Sequence, residues 1–319
     1  MIQRKTRAAE QSIVDGVEMQ ELLDRVSGLH GAEGNLRVKA VVRRIVSDLF
    51  HAIEDLDVQP EEFWRAVAFL TAAGQAREVG LLSPGLGFDH FLDLRMDAAD
   101  RAAGITGGTP RTIEGPLYVA GAPLVKGSEA RLDDGSDTVS EPLFMAGRVL
   151  GTDGRPVPGA IVEVWHADAK GNYSHFDPTQ SPFNLRRKIP TDRGGRYRFR
   201  SIMPAGYGVD PDGPTQRLLD ALGRHGKRPA HIHFFVSAPG YRHLTTQINI
   251  AGDLLLFDDF AFATRRGLIP ELRRHADPAA LRAKGVDRPY AEIEFDFTLH
   301  RASPDAPTAP VPRERATAL

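Results

Sequence analysis

The segment that decides the fold is Arg228-Pro-Ala-His-Ile-His-Phe-Phe-Val-Ser-Ala-Pro-Gly240, followed by His243-Leu-Thr-Thr-Gln-Ile-Asn-Ile250. Side chains of a β-strand alternate between the two faces of a sheet, so His231 and His233 share one face, about 7 Å apart along the strand. The turn residues Ser-Ala-Pro-Gly end the run before a second β-rich segment begins. The pattern predicts a β-hairpin whose two imidazoles converge on one metal ion.

The opposite face of the first strand is apolar enough to belong to a core, and it carries Ile232, Phe234 and Val236. The second strand adds Gln247 and Asn249 among apolar neighbours. An isolated His-x-His pair is more often two ordinary half-buried strand residues than a metal site. The metal interpretation therefore depends on ligands from the rest of the chain.

The composition is that of a globular protein, with 41% hydrophobic and 26% charged residues among 319. A formal charge of −2 provides no basic field for nucleic acid. The chain has no cysteine, which excludes disulfides, thiolate metal sites and cysteine nucleophiles. The basic N-terminus is not followed by an apolar stretch of signal-peptide length, and no run approaches a membrane span. We expect a cytoplasmic protein without membrane insertion.

The first third of the chain has helical periodicity, which starts near Val17. Apolar residues recur at i, i+3, i+4 and i+7 from Val38 to Ile53, and Pro60 with two following acids opens another helix. A further helical segment contains Phe88, Phe91, Leu92 and Leu94. The stripe from Val38 to Ile53 fits either a helical core or a subunit interface.

Short β-rich runs bounded by Gly, Pro and Asp follow the composition change near residue 104, and they predict a β-sandwich. The alternation from Ala291 to Leu299 predicts one half-buried antiparallel strand, and the segment around Pro270 is helix-like. The predicted fold class is mainly β with α: an antiparallel β-sandwich catalytic domain with an N-terminal helical domain. We place the helical domain at 1–106 with a flexible leader at 1–15, the sandwich at 107–301 and a disordered tail at 302–319.

Without cysteine, the other metal ligands must be oxygens. All six tyrosines lie after residue 117, and Tyr173 and Tyr207 lie in glycine-flanked loops, where functional side chains tend to be displayed. Two phenolates and two imidazoles suit ferric iron better than zinc, because the phenolate is a hard ligand. From the residues alone, a site of two tyrosines and two histidines stays open beside one of two histidines and a carboxylate.

Six blocks make the chain similar to the intradiol ring-cleavage dioxygenases, most closely the bacterial members that act on catechol. They are Arg111–Pro123, Pro158–Ala167, Phe183–Arg187, Pro204–Pro211, Gly213–Gln216 and Gly223–Phe235. The resemblance extends from about Leu22 to Leu299. Together the blocks are far more specific than a His-x-His pair.

The resemblance implies one Fe(III) per subunit held by Tyr173, Tyr207, His231 and His233. It assigns a catalytic role to Tyr207, as the ligand that substrate displaces, and to Arg228 and Gln247 beside the iron. It also implies a set of substrate-pocket residues: Leu81, Pro84, Ile113, Gly115, Pro116, Leu117, Phe260 and Ala261.

The implied reaction is cleavage of catechol with O₂ to cis,cis-muconate, a step of the β-ketoadipate route of aromatic degradation. The family is typically homodimeric through its N-terminal helices, in some members with a lipid held between the subunits. Three alternatives stay open: the same chemistry on hydroxyquinol or chlorocatechols, a non-catalytic transthyretin-like binding module, and a zinc hydrolase. The last would need a third His or carboxylate ligand at tight spacing, which the sequence lacks. Protocatechuate cleavage is disfavoured because the implied pocket is apolar.

Overall fold

The computed structural model describes residues 12–303 and 316–317. Residues 1–11 of the predicted leader, and 304–315 and 318–319 of the predicted tail, lie outside the described residues. By internal contacts the chain divides into two compact units, with the boundary between Gln75 and Ala76. The proposed domain boundary near residue 106 stays a prediction. No helix within the described residues is both long and apolar enough to cross a bilayer.

Within residues 12–75, the described part of the first unit, there are three helices, at or close to the predicted positions. They are α1 (Val17–Val26), α2 (Leu36–Asp55) and α3 (Pro60–Gln75). Helix α2 begins after Asn35, whose side chain accepts hydrogen bonds from two backbone N–H groups of the first turn. Five members of its apolar stripe stay at least a third exposed: Val38, Val42, Ile45, Leu49 and Ile53. Contacts within this chain therefore bury only part of the apolar stripe of α2.

The second unit begins with two more helices, α4 (Val79–Gly85) and α5 (Phe88–Ala102), and continues as a β-rich domain. Further along the described chain come helices α6 (Pro214–Ala221) and α7 (Pro278–Lys284). The strands are β1 (Val119–Ala120), β2 (Glu129–Arg131), β3 (Pro142–Gly151), β4 (Ile161–His166), β5 (Arg186–Pro190), β6 (Arg196–Ile202), β7 (Tyr207–Gly208), β8 (Lys227–Arg228), β9 (His231–Ser237), β10 (Leu244–Asn249), β11 (Leu272–His275), β12 (Tyr290–Glu294), β13 (Phe297–Leu299) and β14 (Ala316–Thr317).

Two sheets face each other across one core. The first has the order β10-β9-β4-β5 and is antiparallel throughout; the second has the order β11-β12-β3-β6-β2, with β13 also paired to β3. Ile232, Phe234 and Val236 are completely buried in the shared core, as their alternation predicts. The sandwich with N-terminal helices confirms the predicted fold class.

The final strand differs from its prediction. The run from Ala291 to Leu299 is broken into β12 and β13, and both pair with β3 in the parallel direction. The break lies where the backbone of Phe295 approaches Gly147, at which a Cβ would lie 1.7 Å from the Phe295 carbonyl oxygen. Asp296 there accepts a hydrogen bond from the backbone N–H of Arg148. Alternation predicts the faces of a strand, but pairing direction is decided by the partner.

The segment around Pro270 was wrongly predicted as helical. Leu272–His275 forms strand β11, antiparallel to β12, and the helix of this region begins only at Pro278. Asp277 caps it by accepting a hydrogen bond from the backbone N–H of Ala280.

Candidate active site

The hairpin of β9 and β10 forms the centre of the site. His231 and His233 lie on the sheet face opposite the core, are each 1% exposed, and their Nε2 atoms are 3.0 Å apart. In the β10 register Gln247 lies opposite His233 and Asn249 opposite His231. All four polar side chains are buried, so this face of the sheet is a polar site inside the protein.

The tautomer of His231 is fixed by the backbone. Its Nδ1 lies 2.7 Å from the carbonyl oxygen of Pro229, which can only accept, so Nδ1 carries the proton. Burial, and then the positive charge of Arg228, lowers the pKa of His231 to about 3. The ring is neutral at physiological pH, and its Nε2 carries no proton.

The ring of His233 is held between an aromatic wall and a glycine. The Trp165 ring lies parallel to it with centroids 5.0 Å apart. Gly115 also approaches the ring, and a Cβ at this glycine would lie 3.5 Å from His233 Cε1. Gly115 has φ +72°, so both its conformation and the space favour glycine.

Two glycine-containing loops bring the tyrosines together. A Cβ at Gly171 would lie 2.7 Å from the Gly206 carbonyl oxygen, so these loops approach backbone to backbone. The rings of Tyr173 and Tyr207 are consequently 5.4 Å apart, and the Tyr207 ring is 5.4 Å from that of His231. The four predicted metal ligands therefore lie in one continuous cluster.

Tyr173 is the more deeply buried of the two phenols. It is 3% exposed, and its hydroxyl has no hydrogen-bond partner among the described residues. Burial, and then the neighbouring Tyr207, raises the pKa of Tyr173 well above its ordinary value. The guanidinium of Arg186 lies 5.5 Å from the centroid of the Tyr173 ring and donates to Ser174 Oγ at 2.9 Å. A buried phenol oxygen without a hydrogen bond is costly, and this oxygen belongs to one of the four predicted metal ligands.

Arg228 makes hydrogen bonds both to a predicted metal ligand and to neighbouring polar residues of the site. It donates to Nε2 of His231 at 2.9 Å and to the amide oxygen of Gln247 at 2.8 Å, and Tyr207 Oη lies 3.5 Å away. Burial opposes its charge, but Asp259 and Tyr207 raise the pKa of Arg228 above its ordinary value. The result is a buried permanent cation beside the predicted metal ligands Tyr207 and His231.

Sequence reasoning missed Asp259. Its carboxylate pairs with Arg228 at 3.1 Å and also accepts from the backbone N–H groups of Ala261 and Ala263. It thus fixes both the arginine and the loop that carries Phe260. Asp259 follows Asp258 in a loop whose sequence has no periodic pattern, so its burial could not be predicted from the sequence. Asp168, which accepts from two backbone N–H groups of the Tyr173 loop, was also missed as a structural residue.

The predicted substrate-pocket residues occupy two places. Ile113, Phe260 and Ala261 share one buried cluster, and a Cβ at Gly85 would lie 3.5 Å from the Phe260 ring, which connects helix α4 to this cluster. Leu117 packs against the aromatic cluster of Trp165 and Tyr173. Three further predicted residues differ in exposure: Pro84 is buried, Leu81 half-buried and Pro116 exposed.

A cavity of about 520 Å³ lies along α5; the predicted pocket residue Ile113 lines it, but none of the four predicted metal ligands does. Ion pairs in its wall join Asp97 to Arg111 at 3.0 Å and Asp100 to Arg242 at 2.7 Å. Asp93 also lines it, and its buried Oδ2 has no hydrogen-bond partner among the described residues. Burial raises the pKa of Asp93 to about 6.

Comparison with known proteins relates the chain to dioxygenases. A family model described as Dioxygenase matches residues 113–301, and one described as Catechol dioxygenase N terminus matches residues 35–104. Catechol 1,2-dioxygenase 2 of Acinetobacter lwoffii is 64% identical over 79% of this chain and 91% of its own length. Hydroxyquinol 1,2-dioxygenase of Rhizobium sp. is 33% identical over 83% of this chain and 90% of its own length.

Among solved structures, catechol 1,2-dioxygenase from Acinetobacter sp. ADP1, inhibited by bound mercury, superposes with a TM-score of 0.92. It is 54% identical, and the match covers 97% of this chain and 100% of that one. Both the helical part and the sandwich are included in the match. The chain therefore belongs to the intradiol ring-cleavage dioxygenase family, as its motifs predict.

Proposed function

We propose that the protein is a non-haem Fe(III) dioxygenase that cleaves catechol between its two hydroxyl-bearing carbons. One O₂ adds both of its atoms to the ring, and the product is cis,cis-muconate. The observation that carries the proposal is the buried convergence of two imidazoles, two phenols and one guanidinium.

The donor set fits one ferric ion. Tyr173, Tyr207, His231 and His233 would hold it. His231 presents an unprotonated nitrogen, because its Nδ1–H donates to the Pro229 carbonyl, and Tyr173 presents a buried oxygen without a partner among the described residues. Neutral imidazole nitrogen and phenolate oxygen are compatible ligands for a hard trivalent ion.

The pKa of Tyr173 supports a cation at this place. Burial keeps the phenol protonated in the protein alone, because an unpaired buried phenolate is costly. A bound cation reverses that preference and makes the phenolate the stable form. When bound, ferric iron would act as a Lewis acid and as a template for the two oxygens of catechol.

The protein groups would handle the protons and charge of the substrate. Tyr207 is half-buried, whereas Tyr173 is 3% exposed, so Tyr207 is the phenol that an incoming catechol reaches. Its oxygen would accept a substrate proton, with Arg228 Nη1 at 3.5 Å to stabilise the phenolate before transfer. This division of roles needs only the difference in burial between the two phenols.

Arg228 would stabilise negative charge that develops on the catechol ring. Its guanidinium cannot lose its proton at physiological pH, and burial strengthens its field. Gln247 and Asp259 fix its orientation, with contacts of 2.8 Å and 3.1 Å. A preoriented cation costs no reorganisation when the charge appears.

An unsubstituted catechol is the substrate that the pocket favours. The wall residues Ile113, Phe260 and Ala261 are apolar and 7% exposed or less, and they offer no charge for a substrate carboxylate. The catechol-cleaving relative is 64% identical, whereas the hydroxyquinol-cleaving one is 33% identical. The apolar wall argues against a carboxylated catechol, and the difference in identity favours catechol over hydroxyquinol.

We also propose a cytoplasmic homodimer that associates through the N-terminal helices. Helix α2 exposes a stripe of large apolar side chains, with Ile45 at 53% and Leu49 at 56%. A contiguous apolar stripe of this kind on a helix is typical of an interface. The same stripe could hold a lipid between the two subunits.

A stoichiometric assay tests the proposed reaction. The iron-loaded protein is mixed with catechol in air-saturated buffer while O₂ consumption is recorded, and the product is identified by NMR. We expect one O₂ consumed for each cis,cis-muconate formed. A product of cleavage outside the two hydroxyl-bearing carbons, or no O₂ consumption, would contradict the proposal.

A further inference from the structure

Helix α4 carries two predicted pocket residues, Leu81 and Pro84, yet it has little stability of its own. It has seven residues, and its sequence Val-Gly-Leu-Leu-Ser-Pro-Gly contains two glycines and an internal proline. Helices this short are unstable in isolation, and glycine and proline weaken them further. Contacts from other elements must therefore hold α4 in place.

The first such contact is made by Glu78, at the N-terminus of α4. Its carboxylate accepts a hydrogen bond of 2.9 Å from the backbone N–H of Thr215 in α6. Helix α6 starts with Pro214, which has no N–H, so Thr215 provides the first free donor of that helix. Glu78 is 8% exposed, and a Cβ at Gly213 would lie 2.2 Å from its Oε1. The carboxylate thus caps α6 in a space that only glycine leaves open.

The second contact is made by Arg224, just beyond the C-terminus of α6. Its Nη1 donates to the Gly85 carbonyl at 2.6 Å, in the last turn of α4, where the carbonyls have no partner within the helix. Its Nη2 donates to the Phe260 carbonyl at 3.0 Å, and its guanidinium lies 4.7 Å from the Phe262 ring centroid. One side chain therefore ties α4 to the loop of the opposite pocket wall.

The tied loop leads back to the catalytic centre. Phe260 follows Asp259, which forms the buried ion pair with Arg228. The end of α4 contacts the Phe260 ring, where a Cβ at Gly85 would lie at 3.5 Å. A displacement of α4 would consequently change the space beside the substrate before it changes the metal ligands.

We propose that Glu78 and Arg224 are positioning residues that hold α4 from both ends and thereby set which ring substituents the pocket admits. The inference rests on the proposed cleavage of catechol. The hydrogen bonds of both side chains lead to α4, α6 and the Phe260 loop and not to a predicted metal ligand, so each residue acts through α4 and this loop.

The test compares Arg224→Met and Glu78→Met with the wild type, using steady-state kinetics on catechol and on a ring-methylated catechol with its methyl group para to one hydroxyl. Removing a contact of α4 should loosen the pocket wall and raise kcat/KM for the methylated substrate about fivefold relative to catechol, because one methyl group in a tight pocket is worth roughly 10- to 200-fold. The change should lie mainly in KM for the methylated substrate. Amide hydrogen exchange in Val79–Gly85 should rise about tenfold as this segment opens more often.

Matched controls lie on the exposed face of α6. Arg217→Met and Asp220→Met make the matching changes from a charged to an apolar side chain at exposed positions, and they should leave both the selectivity ratio and the exchange unchanged. If Arg224→Met does not fold, Arg224→Lys replaces it in the test. Lysine keeps the charge but lacks the planar group that donates to both carbonyls. The selectivity ratio should then change in the same direction but by less.

An unchanged selectivity ratio in both variants would overturn the inference, since a merely stabilising contact lowers the active fraction without altering the ratio. Unchanged hydrogen exchange in Val79–Gly85 would overturn it as well. A wild-type protein that turns over neither substrate would contradict the proposed function instead. The exchange measurement would then still decide whether Glu78 and Arg224 hold α4.

Discussion

Arg228 and Asp259 form an ion pair with an N–O distance of 3.1 Å, and their side chains are only 3% and 2% exposed. A charge buried to this extent is stable only with a partner, so the acid is as necessary to the site as the arginine. The pair also connects the proposed metal ligands to the loop of Phe260, because Asp259 accepts hydrogen bonds from backbone N–H groups of that loop.

Asp259→Asn should therefore damage both stability and activity. Loss of one partner from a buried pair costs about 3 to 5 kcal/mol of the free energy of unfolding. We expect kcat/KM for catechol to fall at least about tenfold, because Arg228 loses its fixed orientation. Urea unfolding and steady-state kinetics measure the two effects. The control is Asp258→Asn, whose side chain is 77% exposed; equal effects at both positions would contradict the role of Asp259.

Tyr173→Phe should reduce iron binding. The change removes the buried hydroxyl oxygen proposed as a metal ligand and leaves the packed ring in place. We expect iron affinity to fall at least about tenfold, since even outer-shell changes cost that much. Metal analysis after dialysis measures the effect. Tyr290→Phe, whose ring packs on Phe144 in the other sheet, is the control. Wild-type iron content in Tyr173→Phe would contradict the ligand assignment.

Asp93→Asn should stabilise the protein in a pH-dependent way. Burial raises the pKa of Asp93 from 3.8 to about 6, so the folded state binds a proton that the unfolded state has lost between these values. The contribution of Asp93 to stability is thus fully present below about pH 4 and is lost as pH rises through about 6. At pH 8 the asparagine variant should be more stable by up to about 3 kcal/mol.

At pH 4 the Asp93→Asn variant should have the same free energy of unfolding as the wild type, because the wild-type carboxyl is already largely neutral in the folded state. Thermal or urea unfolding at several pH values checks the prediction, with Asp89→Asn, one turn earlier on α5, as the matched change of charge. A difference between wild type and Asp93→Asn that does not grow from pH 4 to pH 8 would contradict the burial argument.

The exposed stripe of α2 should mediate self-association. Leu49→Glu places a charge among apolar side chains and should shift the protein toward monomer, because an unpaired charge is not tolerated in a buried interface. Sedimentation velocity at several concentrations measures the change. The control is Arg44→Glu on the opposite helix face, where Arg44 is paired with Asp48. A Leu49→Glu protein with the wild-type sedimentation coefficient would exclude this stripe as the interface.

Much of the fold follows from local pattern. The core strand with Ile232, Phe234 and Val236, and the helix that begins after Asn35, have periodicities that tertiary structure reinforces. The pairing direction of Ala291–Leu299 could not be predicted in this way. Its parallel neighbour, β3, is distant in sequence, and the alternation of side chains carries no information about which strand pairs with it. Helix α4 also had no local signal, since its glycines and proline disfavour a helix that tertiary contacts impose.

The residues of the candidate site likewise include some that the sequence could identify and some that it could not. The paired histidines and the glycine-flanked tyrosines could be selected from sequence, because spacing and loop chemistry mark them. Their convergence depends on the close approach of Gly171 and Gly206, which only the folded chain reveals. Asp259 and Arg224 act through contacts with residues far from them in sequence, so no local pattern identifies either one.

The visible spectrum of the iron-loaded protein, recorded before and after catechol is added without oxygen, tests the central claim most directly. Charge transfer from Tyr173 and Tyr207 phenolates to Fe(III) should make the protein burgundy, and catechol should shift the band to longer wavelength as it binds the iron. A protein that binds iron stoichiometrically but stays colourless would contradict the proposed metal centre. A visible spectrum that does not change when catechol is added would contradict it as well.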